Sequence, residues 1–272
     1  MRIIAEQLAL EGAELVRRRR REVFGTGSAT RSARAGAVAT KSGPTDPVTV
    51  VDTETERLLR SRLAELRPGD AVLGEEEGGP AVVVPGRPVW VLDPIDGTVN
   101  FLYGLPAYAV SVGVQIDGDS IAGAVVNVAT GELYTAARGA GAELRHNGTS
   151  IELHCNNIDD FSLALIGTGF AYDSLRRARQ ATAVAALLPQ VRDIRRVGSC
   201  ALDLCMLAAG QLDGYYEAGV HRWDWAAAAL IAAEAGAIVQ LPGGDQEADL
   251  VIAAAPGIAA ALTSAVMDLG QQ

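Results

Sequence analysis

Apolar positions along residues 2 to 24 recur at the spacing of one helix face, with Ile3, Ile4, Leu8, Leu15 and Val16 in register. Arg17 to Arg21 and then Gly25 close the run. The arginines suit the negative end of a helix, so they read as a solvated terminus. Gly, Ser, Thr and Ala dominate 25 to 37, which predicts a mobile loop leading to Lys41, of the kind that often covers an active site. Asp52 is expected to cap a helix reaching Leu66, with Thr53, Glu54 and Glu56 in its first turn. A short strand at Ala71 to Leu73 runs into the glycine-bounded carboxylates Glu75, Glu76 and Glu77. A second, fully apolar strand at Val89 to Leu92 is expected to stop at Pro94 and Gly97.

Alternating segments at 107 to 116, 120 to 128 and 132 to 137 are joined by Asp117-Gly118 and Thr130-Gly131, and Asn147-Gly148 marks one more hairpin. They predict an antiparallel meander. After about residue 160 the pattern changes. Strands are predicted at 163 to 166, 191 to 195, 213 to 217, 237 to 239 and 250 to 254, alternating with helices at 174 to 188, 201 to 209, 225 to 235 and 258 to 269. The first half thus reads as antiparallel α+β and the second as layered α/β, with lobes at 1 to 150 and 151 to 272.

At 272 residues and 49% hydrophobic, the chain can bury a substantial core. A formal charge of -10 argues against a nucleic-acid partner, whose binding rests on clustered Lys and Arg. The Ala-rich tracts at 225 to 239 and 251 to 267 are broken by Glu234 and by Pro256-Gly257, so no membrane span is expected. Three cysteines, Cys155, Cys200 and Cys205, make no paired framework and no leader-like apolar run opens the chain, which points to the cytoplasm. Of the 23 basic residues, Lys41 alone is lysine. A compact, strongly hydrated ammonium kept in so arginine-rich a chain marks that position.

The run Trp90-Val-Leu-Asp93-Pro94-Ile95-Asp96-Gly97-Thr98-Val-Asn100-Phe101 carries the chemistry. Two carboxylates at one strand end need a counter-cation, either arginine or metal, and the absence of a basic residue between them favours a hard divalent ion. Gly97 and Thr98 offer N–H groups and a hydroxyl where a helical turn could hold phosphate. Trp223-Asp224-Trp225 is a second unusual spot, with Asp224 expected as an N-cap of the Ala-rich helix.

In one order, Lys41, Asp52, Gly74-Glu75-Glu76, the run from Asp93 to Phe101, Glu217 and Trp223-Asp224 resemble the inositol monophosphatase family of magnesium-dependent, lithium-sensitive phosphatases. The signature W-x-(aliphatic)-D-P-(aliphatic)-D-G-T-x-N-F is matched at every fixed position. The second, W-D followed by small residues and E-A-G, ends at Glu234-Ala235-Gly236. The resemblance implies a five-layer α-β-α-β-α sandwich, commonly a homodimer, acting on a small phosphorylated polyol with two or three Mg²⁺ ions. By position, Glu75, Asp93 and the Ile95 carbonyl look like ligands of a first ion. Asp93, Asp96 and Asp224 look like ligands of a second, and a third leans on Glu75. The resemblance further implies a metal-activated water oriented by Glu75 and Thr98, Asp52 supporting Thr98, and Lys41 balancing carboxylate charge. Phosphate would rest on the N–H groups of Gly97 and Thr98, Asp96 would face it, and a water near Asp224 would protonate the leaving group. Glu217 and the backbone at Cys200 would meet the polyol.

Two positions depart from the family pattern, cysteine at 200 where alanine is frequent and Asp203 where a neutral amide is frequent. Histidinol phosphate, fructose 1,6-bisphosphate and 3'-phosphoadenosine nucleotides are the alternative esters, and a noncatalytic regulator retaining the fold is the alternative class. The spacing Asp93-x-x-Asp96-x-Thr98 differs from the D-x-D-x-T of phosphatases that form an aspartyl phosphate. His221 lies near the proposed site and reads as structural.

Overall fold

A computed structural model describes residues 1–25, 37–41, 43, 46–79, 84–243 and 250–269. The loop expected to precede Lys41 lies largely outside the described residues.

The chain starts with α1 (Arg2–Phe24), followed by a small hairpin of β1 (Val38–Thr40) and β2 (Pro47–Thr49), then α2 (Val50–Leu66). A seven-stranded sheet comes next, in the chain order β3 (Ala71–Gly74), β4 (Pro88–Asp96), β5 (Ala109–Ile116), β6 (Asp119–Asn127), β7 (Leu133–Ala137), β8 (Ala142–His146) and β9 (Thr149–Glu152). Only the β3–β4 pair is parallel; the remainder is the predicted meander. The short helix α3 (Thr98–Tyr103) follows β4.

A second, five-stranded sheet has the order β11-β10-β12-β14-β13, built from β10 (Leu165–Thr168), β11 (Asp193–Arg195), β12 (Gly214–Ala218), β13 (Ile238–Gln240) and β14 (Leu250–Ala254). Its helices are α4 (Ser174–Leu187), α5 (Cys200–Ala208), α6 (Arg222–Glu234) and α7 (Ala259–Leu269). The strand predicted at 163 to 166 begins two residues later, because Phe161–Leu163 forms a 3₁₀ turn capped by Asp160.

The layering follows from which faces are apolar. Along β4, Trp90 and Leu92 point to a core shared with α1 and α2, while Val89 and Val91 point to a core shared with α5 and α6. A strand alternates faces, so burial on both sides produces the continuous apolar run that marked this segment. Helices α5 and α6 lie between the sheets, and α4 and α7 cover the outer face of the second one around Ile166, Leu187 and Leu262. The result is the expected α-β-α-β-α order. The alanines of α6 have a specific cause. A Cβ on Gly123 would lie 2.8 Å from the Ala227 backbone, and one on Gly113 would lie 3.0 Å from the Ala226 methyl. The helix therefore sits directly on the sheet, where small side chains permit that approach.

Candidate active site

The strand β4 does not stop at Pro94, as its sequence predicted, but continues to Asp96. Its pairing with β5 passes from Asp93 opposite Ser111 to Asp96 opposite Ala109, so one residue is inserted between the two aspartates. A bulge tolerates proline, which has no N–H for the ladder, and the extra residue turns both carboxylates to the same side. Asp93 Oδ1 accepts the Ile95 N–H at 3.0 Å. Gly97 then adopts φ 92°, with Ala107 O and Gly198 O each 3.0 Å from where a Cβ would be, and it starts α3 at Thr98.

Two helices deliver carboxylates from their first turns, one residue pattern used twice. Asp52 and Asp224 were expected as N-caps, but the caps are Thr49 and His221, and each aspartate stands at the third helical position. Asp52 Oδ2 accepts from Thr49 N at 3.0 Å and Thr49 Oγ1 at 2.5 Å, and Asp224 Oδ2 accepts from His221 N at 2.5 Å. The reaching-back carboxylate ties down the helix start and fixes its own orientation. Asp52 Oδ1 also lies 3.2 Å from Thr98 Oγ1, which has the Ile95 carbonyl at 3.1 Å. The single hydroxyl proton of Thr98 is thereby committed to these acceptors, and its lone pairs are left to receive a hydrogen bond.

Asp93, Asp96 and Asp224 each present an oxygen, all within 4.8 Å of one another. Asp93 and Asp96 are buried. Burial pushes the Asp93 carboxyl well above the usual range, and Glu75, Asp96 and Asp224 push it further. Asp224 is raised in the same way, by burial and then by Asp96 and Glu75. Asp96 is raised to about 7 by burial, against the pull of hydrogen bonds from Ser199 Oγ at 2.6 Å and Ala201 N at 2.7 Å. Three acids this close, two of them buried, repel as anions, and a hard divalent cation relieves that repulsion, so the residues fit an oxygen-coordinated ion.

Glu75 lines the same cavity but stands apart from that trio, with Oε1 2.6 Å from Lys41 Nζ; Glu76 Oε1 lies at 2.6 Å from the same ammonium. Burial lowers the Lys41 pKa, but these two glutamates more than reverse it. The β1–β2 hairpin that brings Lys41 here was missed in the sequence, since three-residue strands give no period to read. The cavity, of about 780 Å³, is also lined by Ile95, Gly97, Thr98, Cys200, Glu217 and the exposed Arg196. It lies within the roughly 300–1,000 Å³ range of small-molecule sites. Glu217 Oε2 accepts from Tyr215 OH at 2.6 Å, and burial raises its carboxyl while that bond and Arg196 oppose the rise. Asp203 does not reach the cavity. It is buried behind the wall, where desolvation holds its carboxyl well above the ordinary range.

Arg196 is a cavity residue that sequence reasoning passed over, and the contacts that Ser199 and Glu56 make were not foreseen. Ser199 was legible as a cap before α5, but its partner Asp96 is 103 positions away.

A profile of the inositol monophosphatase family matches residues 1–270. The inositol-1-monophosphatase of Mycobacterium leprae is 62% identical over 272 residues, covering 98% of this chain and 93% of that one. The inositol-1-monophosphatase SuhB of Mycobacterium tuberculosis is 58% identical over 271 residues, with the same coverage. The solved structure of Mycobacterium tuberculosis SuhB superposes with a TM-score of 0.83 at 52% identity, covering 98% of this chain and 96% of that chain. Signature residues at the strand end, their convergence with Asp224 in one cavity, and these likenesses agree: the chain belongs to the inositol monophosphatase family.

Proposed function

We propose that the chain is a phosphatase that hydrolyses a small polyol phosphate monoester, inositol 1-phosphate above all, to the free alcohol and phosphate. The supporting observation is the trio of mutually close carboxylates on one wall of a cavity that Glu217 also lines. The relatives named inositol-1-monophosphatase support the same choice of ester.

Mg²⁺ is the ion proposed, two or three per site. Asp93, Asp96 and Asp224 would hold one; Glu75, Asp93 and the Ile95 carbonyl would hold another, with Glu75 also facing a third. When bound, such ions supply the positive charge that offsets repulsion between a phosphate dianion and an attacking oxygen nucleophile. The protein's own groups do the rest. Thr98 Oγ1, its proton engaged by Asp52, accepts a hydrogen bond from the attacking water, and Glu75, anchored by Lys41, takes a proton from it. The Gly97 and Thr98 N–H groups at the start of α3 hold phosphate oxygens, with Asp96 beside them. Asp224 orients the water that returns a proton to the departing alkoxide. Glu217 accepts a hydrogen bond from a polyol hydroxyl, and the Cys200 wall limits the ring's position.

We further take the chain as two lobes, 1–150 and 151–272, the first built mainly on the seven-stranded sheet, whose last strand runs on to Glu152, and the second on the five-stranded one, working as a cytoplasmic homodimer. No helix among the described residues is long and apolar enough to cross a membrane, and all three cysteines are free thiols. A phosphate-release panel tests the function: inositol 1-phosphate, histidinol phosphate, fructose 1,6-bisphosphate and a 3'-phosphoadenosine nucleotide, with Mg²⁺ and after chelation. The expected result is fastest release from inositol 1-phosphate and none after chelation; undiminished release after chelation would overturn the reading.

A further inference from the structure

Glu56 lies on α2 one turn beyond Asp52, fully buried beneath the turn that carries Glu75. Its two oxygens take up that turn's backbone donors separately. Glu76 N donates to Oε2 at 2.7 Å and Glu77 N to Oε1 at 3.0 Å. Arg60 Nε donates to Oε1 at 2.8 Å, and Arg60 Nη2 donates to the Gly78 carbonyl. The turn is also closed on itself, with Gly74 N on Gly78 O at 3.0 Å and Gly78 N on Gly74 O at 3.1 Å. A Cβ on Gly74 would stand 2.3 Å from Glu56 Oε1, so the glycine is required by the carboxylate pressed against it.

We infer that Glu56 is a positioning residue for Glu75, gripping the backbone of Glu76 and Glu77 so that the Glu75 carboxylate is held toward the cavity. Charge-assisted bonds to two consecutive N–H groups fix the plane of the turn more firmly than neutral ones do. Because Asp52 and Glu56 are four residues apart, they share one face of α2. One contacts Thr98 and the other the Glu75 turn, so a single helix sets both groups that meet the attacking water. The inference rests on the reading of Glu75 as a residue of the ion site.

The test measures ion binding directly. Tb³⁺, a hard oxygen-seeking ion, is titrated into the chelated, substrate-free protein with its luminescence sensitised by tryptophan excitation, Trp223 lining the cavity. In parallel, the Mg²⁺ concentration for half-maximal phosphate release is determined. Four proteins form a cycle: wild type, Glu56→Gln, Glu75→Gln and the double variant. Glu56→Gln keeps the shape but turns one acceptor into a donor facing an N–H, and should weaken Tb³⁺ binding and raise the Mg²⁺ requirement by roughly 10- to 100-fold. In the Glu75→Gln background the same change should have no further effect on ion binding. Gly74→Ala, which retains Glu56 but displaces its carboxylate, should reproduce the loss, and it carries the test if Glu56→Gln does not fold. Wild-type ion binding in Glu56→Gln, or an equal loss with and without Glu75, would overturn the inference while leaving the role of Glu75 intact. Wild-type binding in Glu75→Gln would instead remove the reading on which it rests.

Discussion

Ser199 Oγ donates to Asp96 Oδ2 at 2.6 Å, joining the β4 strand end to the cap of α5. The same serine oxygen accepts from Leu202 N at 3.2 Å, so one hydroxyl both caps the helix and aims the carboxylate. Ser199→Ala should leave Asp96 with only the Ala201 N–H and raise the Mg²⁺ requirement by roughly 10- to 100-fold, as losses of outer ligand supports do. Mg²⁺ titrations of phosphate release check this; an unchanged requirement would show that Ala201 alone suffices.

Asp93 contributes to both proposed ion positions, so its loss cannot be compensated by a neighbour. Asp93→Asn should lower kcat/KM by more than about a hundredfold while preserving the circular dichroism spectrum, since the amide keeps the volume but not the charge. Normal turnover would remove the catalytic assignment.

In the proposed reading, Glu217 meets the alcohol part of the substrate and not the phosphate. Glu217→Gln should raise KM for inositol 1-phosphate by roughly 10-fold, about the value of one hydrogen bond to a charged group, and leave KM for p-nitrophenyl phosphate unchanged. Equal changes for both esters would place Glu217 outside substrate recognition.

Much of this site was legible from residue order. The run from Asp93 to Phe101 announces its chemistry because aspartate, proline and glycine at a strand end have few other uses. What could not be read is geometry that depends on a partner elsewhere. A period of two cannot show where an extra residue enters β4, so Pro94 looked like a terminus. Both helices carrying site aspartates begin earlier than expected, because Thr49 and His221 cap them and an acidic residue near a helix start is equally suited to the cap or the third position. Glu56 was noted only as charge favourable to a helix N-terminus; that its carboxylate is turned onto a loop 20 residues away is a tertiary fact. The α/β layering was legible because every face of both sheets needs an apolar cover.

Chelated protein should lose stability as pH rises. Asp52 and Asp96 have folded pKa values of about 7, raised by burial from the roughly 3.9 of an unfolded aspartate. Between those values the folded state binds more protons than the unfolded one. Their contribution is therefore complete below about pH 4 and lost as pH passes 7. The melting temperature in chelator should fall from pH 5 to pH 8, and Mg²⁺ should restore it most at pH 8, where the carboxylates are ionised. A melting temperature that rises over that interval without metal would contradict the electrostatics described.

The contact of α6 with the first sheet predicts a purely mechanical lesion. Gly123→Ala places a methyl against the Ala227 backbone, and overpacking of this kind costs about 1–3 kcal/mol. Thermal melts should show a drop of several degrees, with kcat retained in the fraction that stays folded.

Asp96 and Asp224 are separated by more than a hundred residues, and the second is carried by α6, one of the two helices packed between the sheets. The three-carboxylate cluster accordingly stays incomplete until α6 has packed against the first sheet, however early the β4 strand end has formed. Any cation bound by that trio would therefore be coupled to the docking of an interior helix.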